Sequence, residues 1–159
     1  MIIKFIKCEV LQKNKELFSH EQEKWSSIKS DPGFIGQIGG WNKNSQTEAV
    51  ILSFWKDKKF YNQFMNNRHD FIYNHQRDLL HSINVEIFNG VKSDSEYRIF
   101  LNKIDKQLLH VVDNIRETYK EIKMLISNAN NQLELFICND DRLAIHSSTT
   151  IMIKPEWTI

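Results

Sequence analysis

The sequence predicts an α+β fold. Its core is a βαββαβ, ferredoxin-like half, and a strand–helix–strand–strand extension follows. Three observations predict this. Apolar residues alternate in two early segments, 2–10 and 82–88, as they do in half-buried strands. Two stretches between those segments carry apolar residues at helical spacing. Turn-forming residues are scarce and clustered: there are 5 glycines and 2 prolines, and four of the glycines lie within residues 33–40.

The first half reads in order. Residues 2–10 form a strand with Ile2, Ile6, Cys8 and Val10 on one side and Ile3 and Phe5 on the other. Residues 14–29 form a helix with Leu17, Phe18, Trp25 and Ile28 on one broad face. Asp31-Pro32-Gly33 is a turn, and residues 34–41 form a strand that contains glycines. Residues 48–55 are β-branched and aromatic, at strand length. Asp57 is placed to cap a helix carrying Phe60, Tyr61, Phe64 and Met65. That helix is expected to break near Asn66-Asn67 and to resume through Ile72, His75 and Leu79. Residues 82–88 close the half, and the polar stretch Gly90 to Glu96 reads as a linker between domains 1–90 and 97–159.

In the second part, residues 97–103 read as a strand and 104–127 as the clearest helix of the chain. Ile104, Leu108, Val111, Ile115, Tyr119, Ile122 and Ile126 fall at helical spacing. Residues 132–138 and 149–154 read as strands around an Asn139-Asp140-Asp141 turn. A weak internal repeat is expected, so the extension reads as a shortened second half.

Composition narrows the function classes. The 159 residues include 21 Lys+Arg and 20 Asp+Glu, a formal net charge of +1. That balance argues against a nucleic-acid partner. Mean hydropathy is −0.47, and no apolar run has the length of a membrane helix. Cys8 and Cys138 match no metal or redox spacing. The expectation is a cytoplasmic protein with no membrane partner.

One strand has a further implication. Val50, Leu52 and Phe54 lie on one side of residues 48–55, with Ala49, Ile51 and Trp55 on the other. Both faces are apolar, so both should be covered. The cover is either a second subunit, in a homodimer, or the C-terminal third, in an intramolecular pseudo-dimer.

The run Phe34-Ile35-Gly36-Gln37-Ile38-Gly39-Gly40-Trp41, followed by Ala49 to Asp57 and then Tyr61, Phe64-Met65 and His69-Asp70, carries a resemblance. Together these residues resemble the DUF4937 (YdbC-like) proteins of bacilli. More broadly they are similar to the dimeric α+β-barrel superfamily, which includes antibiotic-biosynthesis monooxygenases and haem-degrading monooxygenases. The resemblance spans about residues 1–90, and Ile151 to Trp157 looks like a final strand of the same kind. It implies a small-molecule-binding protein, and as an enzyme a cofactor-independent oxygenase; a cavity between sheet and helices is the natural pocket of the predicted fold. Haem degraders carry an Asn on the first strand, a Trp in the second helix and a His later in that helix. Here those positions fall at Lys7 or Cys8, at Phe64, and at Asn74 or His75. This departure argues against haem degradation.

On that reading Trp41, Trp55 and Phe64 shape an apolar pocket for a flat apolar or aromatic ligand. Gln37 supplies an amide, and His69 or His75 moves a proton as a catalytic group. No cofactor is expected. No metal is expected either, because His69 and His75 are six apart and do not share a helix face. Adjacent residues on a helix diverge, so His69 and Asp70 are not expected to face each other. The glycine cluster lacks nucleotide-loop spacing and marks a bulge or a close backbone approach. Cys8 reads as a small buried hydrophobe. The alternatives are a binding or regulatory module without catalysis, and a structural dimerisation domain.

Overall fold

A computed structural model describes residues 1–104, 108–112, 123–138 and 149–159. The first half is β1 (Ile2–Val10), α1 (Lys15–Glu23), β2 (Phe34–Asn42), β3 (Glu48–Trp55), α2 (Lys58–Phe64), α3 (Asp70–Tyr73) and β4 (Leu80–Gly90). A tight 3-10 segment, Lys24–Ser30, prolongs α1, and a π turn, Met65–His69, joins α2 to α3. The second half is α4 (Asp94–Asn102), β5 (Leu108–Val112), β6 (Lys123–Ser127), β7 (Gln132–Cys138) and β8 (Thr149–Ile153).

Among the described residues, eight strands close one barrel in the order β1-β3-β2-β8-β5-β7-β6-β4. Within the first half the order is β4-β1-β3-β2, all antiparallel. Within the second it is β8-β5-β7-β6, which is the same order when each half is counted from its own first strand. Two antiparallel seams, β2 with β8 and β4 with β6, join the halves. Each seam pairs a second strand with a fourth. The two sets of four described strands therefore share one order, and one chain supplies both sides of the barrel.

Closure explains the doubly apolar β3. Val50, Leu52 and Phe54 point into the barrel with Ile3, Phe5 and Ile38. Leu109, Val111, Leu135 and Ile151 fill the same space from the second half. Each such side chain, when fully buried, contributes about 1.5–3 kcal/mol. Ala49, Ile51 and Trp55 point the other way, toward the helices of the first half. The glycines of β2 serve close approach, as their strand position suggests. A Cβ on Gly40 would lie 2.0 Å from the Met152 carbonyl oxygen of β8, and one on Gly36 would lie 2.5 Å from Leu101 of α4.

The second half departs from expectation in two places. Residues 97–103 were expected as a strand but belong to α4. Ser93 caps that helix, accepting from the Glu96 amide, and Glu96 reaches back to the Ser93 amide. The helix thus begins inside the stretch read as a linker. Tyr97 and Phe100 are fully buried and belong to the barrel core.

The expected 104–127 helix is a strand at 108–112 and another at 123–127, and residues 113–122 lie outside the described residues. Four of the six spacings that suggested it are 4, an even number that also keeps residues on one strand face. The barrel needs those faces: Leu109, Val111, Met124 and Ile126 point into it. The Asn139-Asp140-Asp141 turn lies outside the described residues. No helix among the described residues is long and apolar enough to cross a membrane.

Candidate functional site

The outer face of the first half carries an apolar cavity that opens to solvent at its mouth. Its floor is the sheet: Lys4, Ile6 and Cys8 from β1, with Gln37 from β2 and Ser53 from β3. These positions share one face because Lys4 pairs with Ser53, and Ser53 with Gln37. Phe18, Gln22 and Trp25 form one wall, from α1 and the 3-10 segment after it. Phe64, His69, Tyr73 and Gln76 form the other.

The π turn shapes the second wall. Residues five apart on an α-helix diverge by about 140°. A π turn is wider and brings them toward one face. Phe64 and His69 both reach the cavity as a result, with ring centroids 5.8 Å apart. Tyr73, one α-turn further on, stacks on His69 at 5.4 Å. Trp25 packs edge-on against both Phe64 and His69.

One polar chain crosses this apolar site. Lys4 is 7% exposed, and its Nζ lies 3.3 Å from His69 Nε2. His69 Nδ1 lies 2.8 Å from Asp70 Oδ1. An ammonium can only donate, so Nε2 accepts and the ring proton sits on Nδ1, donated to Asp70. Burial lowers the His69 pKa below its ordinary value, and the Lys4 charge adds to this against the pull of the Asp70 hydrogen bond. The neutral ring and the assigned tautomer agree. Burial also pulls the Lys4 pKa from 10.5 to about 8. Contact between His69 and Asp70 corrects the expectation that neighbours on a helix turn apart; the exposed carboxylate reaches sideways to the ring.

A second chain fixes the polarity of the first wall. Trp25 Nε1 donates to Gln76 Oε1 at 2.8 Å, and Gln76 Nε2 donates to Gln22 Oε1 at 3.1 Å. An indole is a donor only, so the direction of the relay is set. It leaves the Gln22 amide N–H groups without a partner among the described residues, on a cavity-lining residue that is 3% exposed. Gln37 donates to the Trp157 carbonyl at 3.1 Å. With Lys4, the polar groups offered to a guest are mainly donors.

Three of the six expected site residues, Gln37, Phe64 and His69, line this cavity. The other three lie elsewhere. Trp41 packs with Phe18 and Trp157 in a separate core cluster. Trp55 stands behind the wall, stacked on Phe64 at 4.7 Å. His75 is exposed beside Phe71, because the π turn rotates the helix before it. Lys7, the other first-strand candidate, points into the barrel and donates to Thr149. Cys8 is 3% exposed, and burial pushes its thiol up to about 12, which suits a small hydrophobe. Sequence reasoning missed Lys4, Gln22 and Gln76. The signal for Lys4 was present: a lysine in phase with Ile2, Ile6 and Cys8 on a strand face that helices cover. No group of three or more His, Cys, Asp and Glu that could hold a metal occurs among the described residues.

Comparisons with known proteins agree with this architecture. The family model described as "Domain of unknown function (DUF4937)" matches residues 2–88. The protein YdbC of Bacillus subtilis (strain 168) is 39% identical over 96 residues, covering 58% of this chain and 81% of that protein. A candidate monooxygenase from Lactobacillus acidophilus NCFM superposes with a TM-score of 0.61 at 13% identity, over 98% of this chain and 83% of its own. A candidate antibiotic biosynthesis monooxygenase from Nitrosomonas europaea gives 0.51 at 17% identity, over 58% of this chain and all of its own. At these identities the structural likeness shows the fold alone. The chain belongs to the DUF4937 family and folds as an α+β barrel of the antibiotic-biosynthesis-monooxygenase type.

Proposed function

We propose that the cavity binds a flat, largely apolar compound bearing an oxygen acceptor, and that Lys4 and His69 move a proton on it. One observation carries this reading: a lysine 7% exposed faces an apolar cavity, 3.3 Å from an imidazole that Asp70 orients. A buried charge without a carboxylate partner is destabilising, so its presence in a cavity points to chemistry. The Gln22 amide and Lys4 supply donors to the guest's oxygen, and Phe64, Trp25 and Tyr73 supply aromatic walls.

The supported reaction class is proton abstraction next to a carbonyl or from a phenol. A substrate made electron-rich in this way can react with oxygen directly, which is the cofactor-independent oxygenase form of the reading. The fold neighbours described as monooxygenases lend it support. The test is exchange of the α C–H of 2-tetralone into D2O, followed by NMR. Exchange above background that falls at least tenfold in His69→Ala is the expected result. Binding without exchange would turn the reading to a module without turnover, and no binding would overturn it.

A further inference from the structure

We propose that Lys4 is an amine nucleophile that forms an imine with a carbonyl compound seated in the cavity, with His69 carrying the proton. The proposal rests on the reading of this cavity as a binding site and names its substrate class. Buried lysines in a structural role are held by a carboxylate. Lys4 has no such partner among the described residues. Its Nζ meets His69 Nε2 at 3.3 Å and Met65 Sδ at 3.8 Å, and Asp70 reaches it through the imidazole. The surroundings are apolar: Ile6, Phe64 and Trp25 line the same cavity. Desolvation of this kind is how a lysine is made reactive. A pKa of about 8 leaves about a tenth of the amine free at pH 7, against less than about a thousandth at the ordinary value.

The chemistry closes without a further reactant. His69 Nε2 takes a proton from the Lys4 ammonium. The freed lone pair attacks the carbonyl carbon; the C–N bond forms as the C=O π electrons move onto oxygen. The imidazolium returns its proton to that oxygen, giving a carbinolamine still protonated on nitrogen, and the Gln22 amide is available to hold the same oxygen. His69 then moves a second proton from nitrogen to the hydroxyl. The C–O bond breaks, water leaves and the protonated imine remains, with the positive charge of the original ammonium on its nitrogen. Nothing is oxidised or reduced. Asp70 touches neither partner and is a positioning residue that keeps the tautomer.

The full chain is incubated with 2-tetralone and sodium cyanoborohydride at pH 7, and lysine adducts are mapped by peptide mass spectrometry. The expected result is a secondary-amine adduct at Lys4 at least tenfold above the exposed Lys58 and Lys59, and lowered at least tenfold in His69→Ala. Equal labelling of Lys4 and the exposed lysines, or none at Lys4, overturns the imine. Hydrogen exchange of the same ketone separates the two claims. His69-dependent exchange without a Lys4 adduct overturns the imine and leaves the cavity reading standing. Absence of both exchange and adduct overturns the imine, and absence of binding as well overturns the cavity reading with it.

Discussion

At the residue scale, Lys4 sets a test that needs no substrate. Its pKa in the folded chain is about 8, against 10.5 when unfolded. Between those values the unfolded chain holds the extra proton, so stability rises with pH across the window. Below about pH 8 the buried charge destabilises the fold. Methionine matches the lysine stem without the charge. Lys4→Met is therefore expected to be more stable than the parent at pH 7, by about 1–3 kcal/mol. The gain should shrink toward zero by pH 10.5, as measured by urea unfolding at both pH values. His69 and His75 are separated in the same spirit. His69→Ala should remove ketone exchange, whereas the exposed His75→Ala should leave it within about twofold. Cys8, with its thiol raised to about 12, should resist iodoacetamide at pH 8 until the chain is unfolded.

At the element scale, the two halves differ in how far they could be read. Asp57 caps α2 as its position suggests, accepting from the Phe60 amide, because an N-cap is a local interaction. The break expected near Asn66-Asn67 appears as the π turn, but its consequence was not legible: rotating His69 inward and His75 outward depends on ring packing against Trp25. The start of α4 is legible in the sequence, since Ser93-Asp94-Ser95-Glu96 is a capping-box pattern. The 108–112 and 123–127 strands were not, because spacings of 4 suit both periods and only barrel closure chooses between them. The β2–β8 seam gives an element-level test. Gly40→Ala would place a methyl 2.0 Å from the Met152 carbonyl oxygen, with backbone rather than a flexible side chain in the way. A loss of about 2–4 kcal/mol in unfolding free energy is expected. A loss below about 0.5 kcal/mol would show that the seam yields without harm.

At the scale of the whole molecule, closure in one chain has a consequence for assembly. The β2 and β4 edges, through which two separate first halves would have to pair, are taken by β8 and β6. The full chain should behave in light scattering as a monomer of 18.9 kDa. A dimer would mean that another surface pairs, with Ile83, Val85 and Ile87 of β4, each about 40% exposed, the first place to look. The closed barrel also makes the cavity a property of one half: its floor and both walls come from residues 4–83. The second half holds the floor in shape from the inside, through the interior side chains of β1 and β3.

The most direct measurement of the central claim is a titration of the 15N-labelled full chain with 2-naphthol, a flat apolar compound with one oxygen, followed by NMR. The Trp25 indole and the side-chain amides of Gln22, Gln37 and Gln76 report from the walls and the floor. Saturable shifts in these four, weakened at least tenfold in affinity by Lys4→Met, are what the account predicts. Saturation with no response from them, or no saturable shift at all, would contradict it.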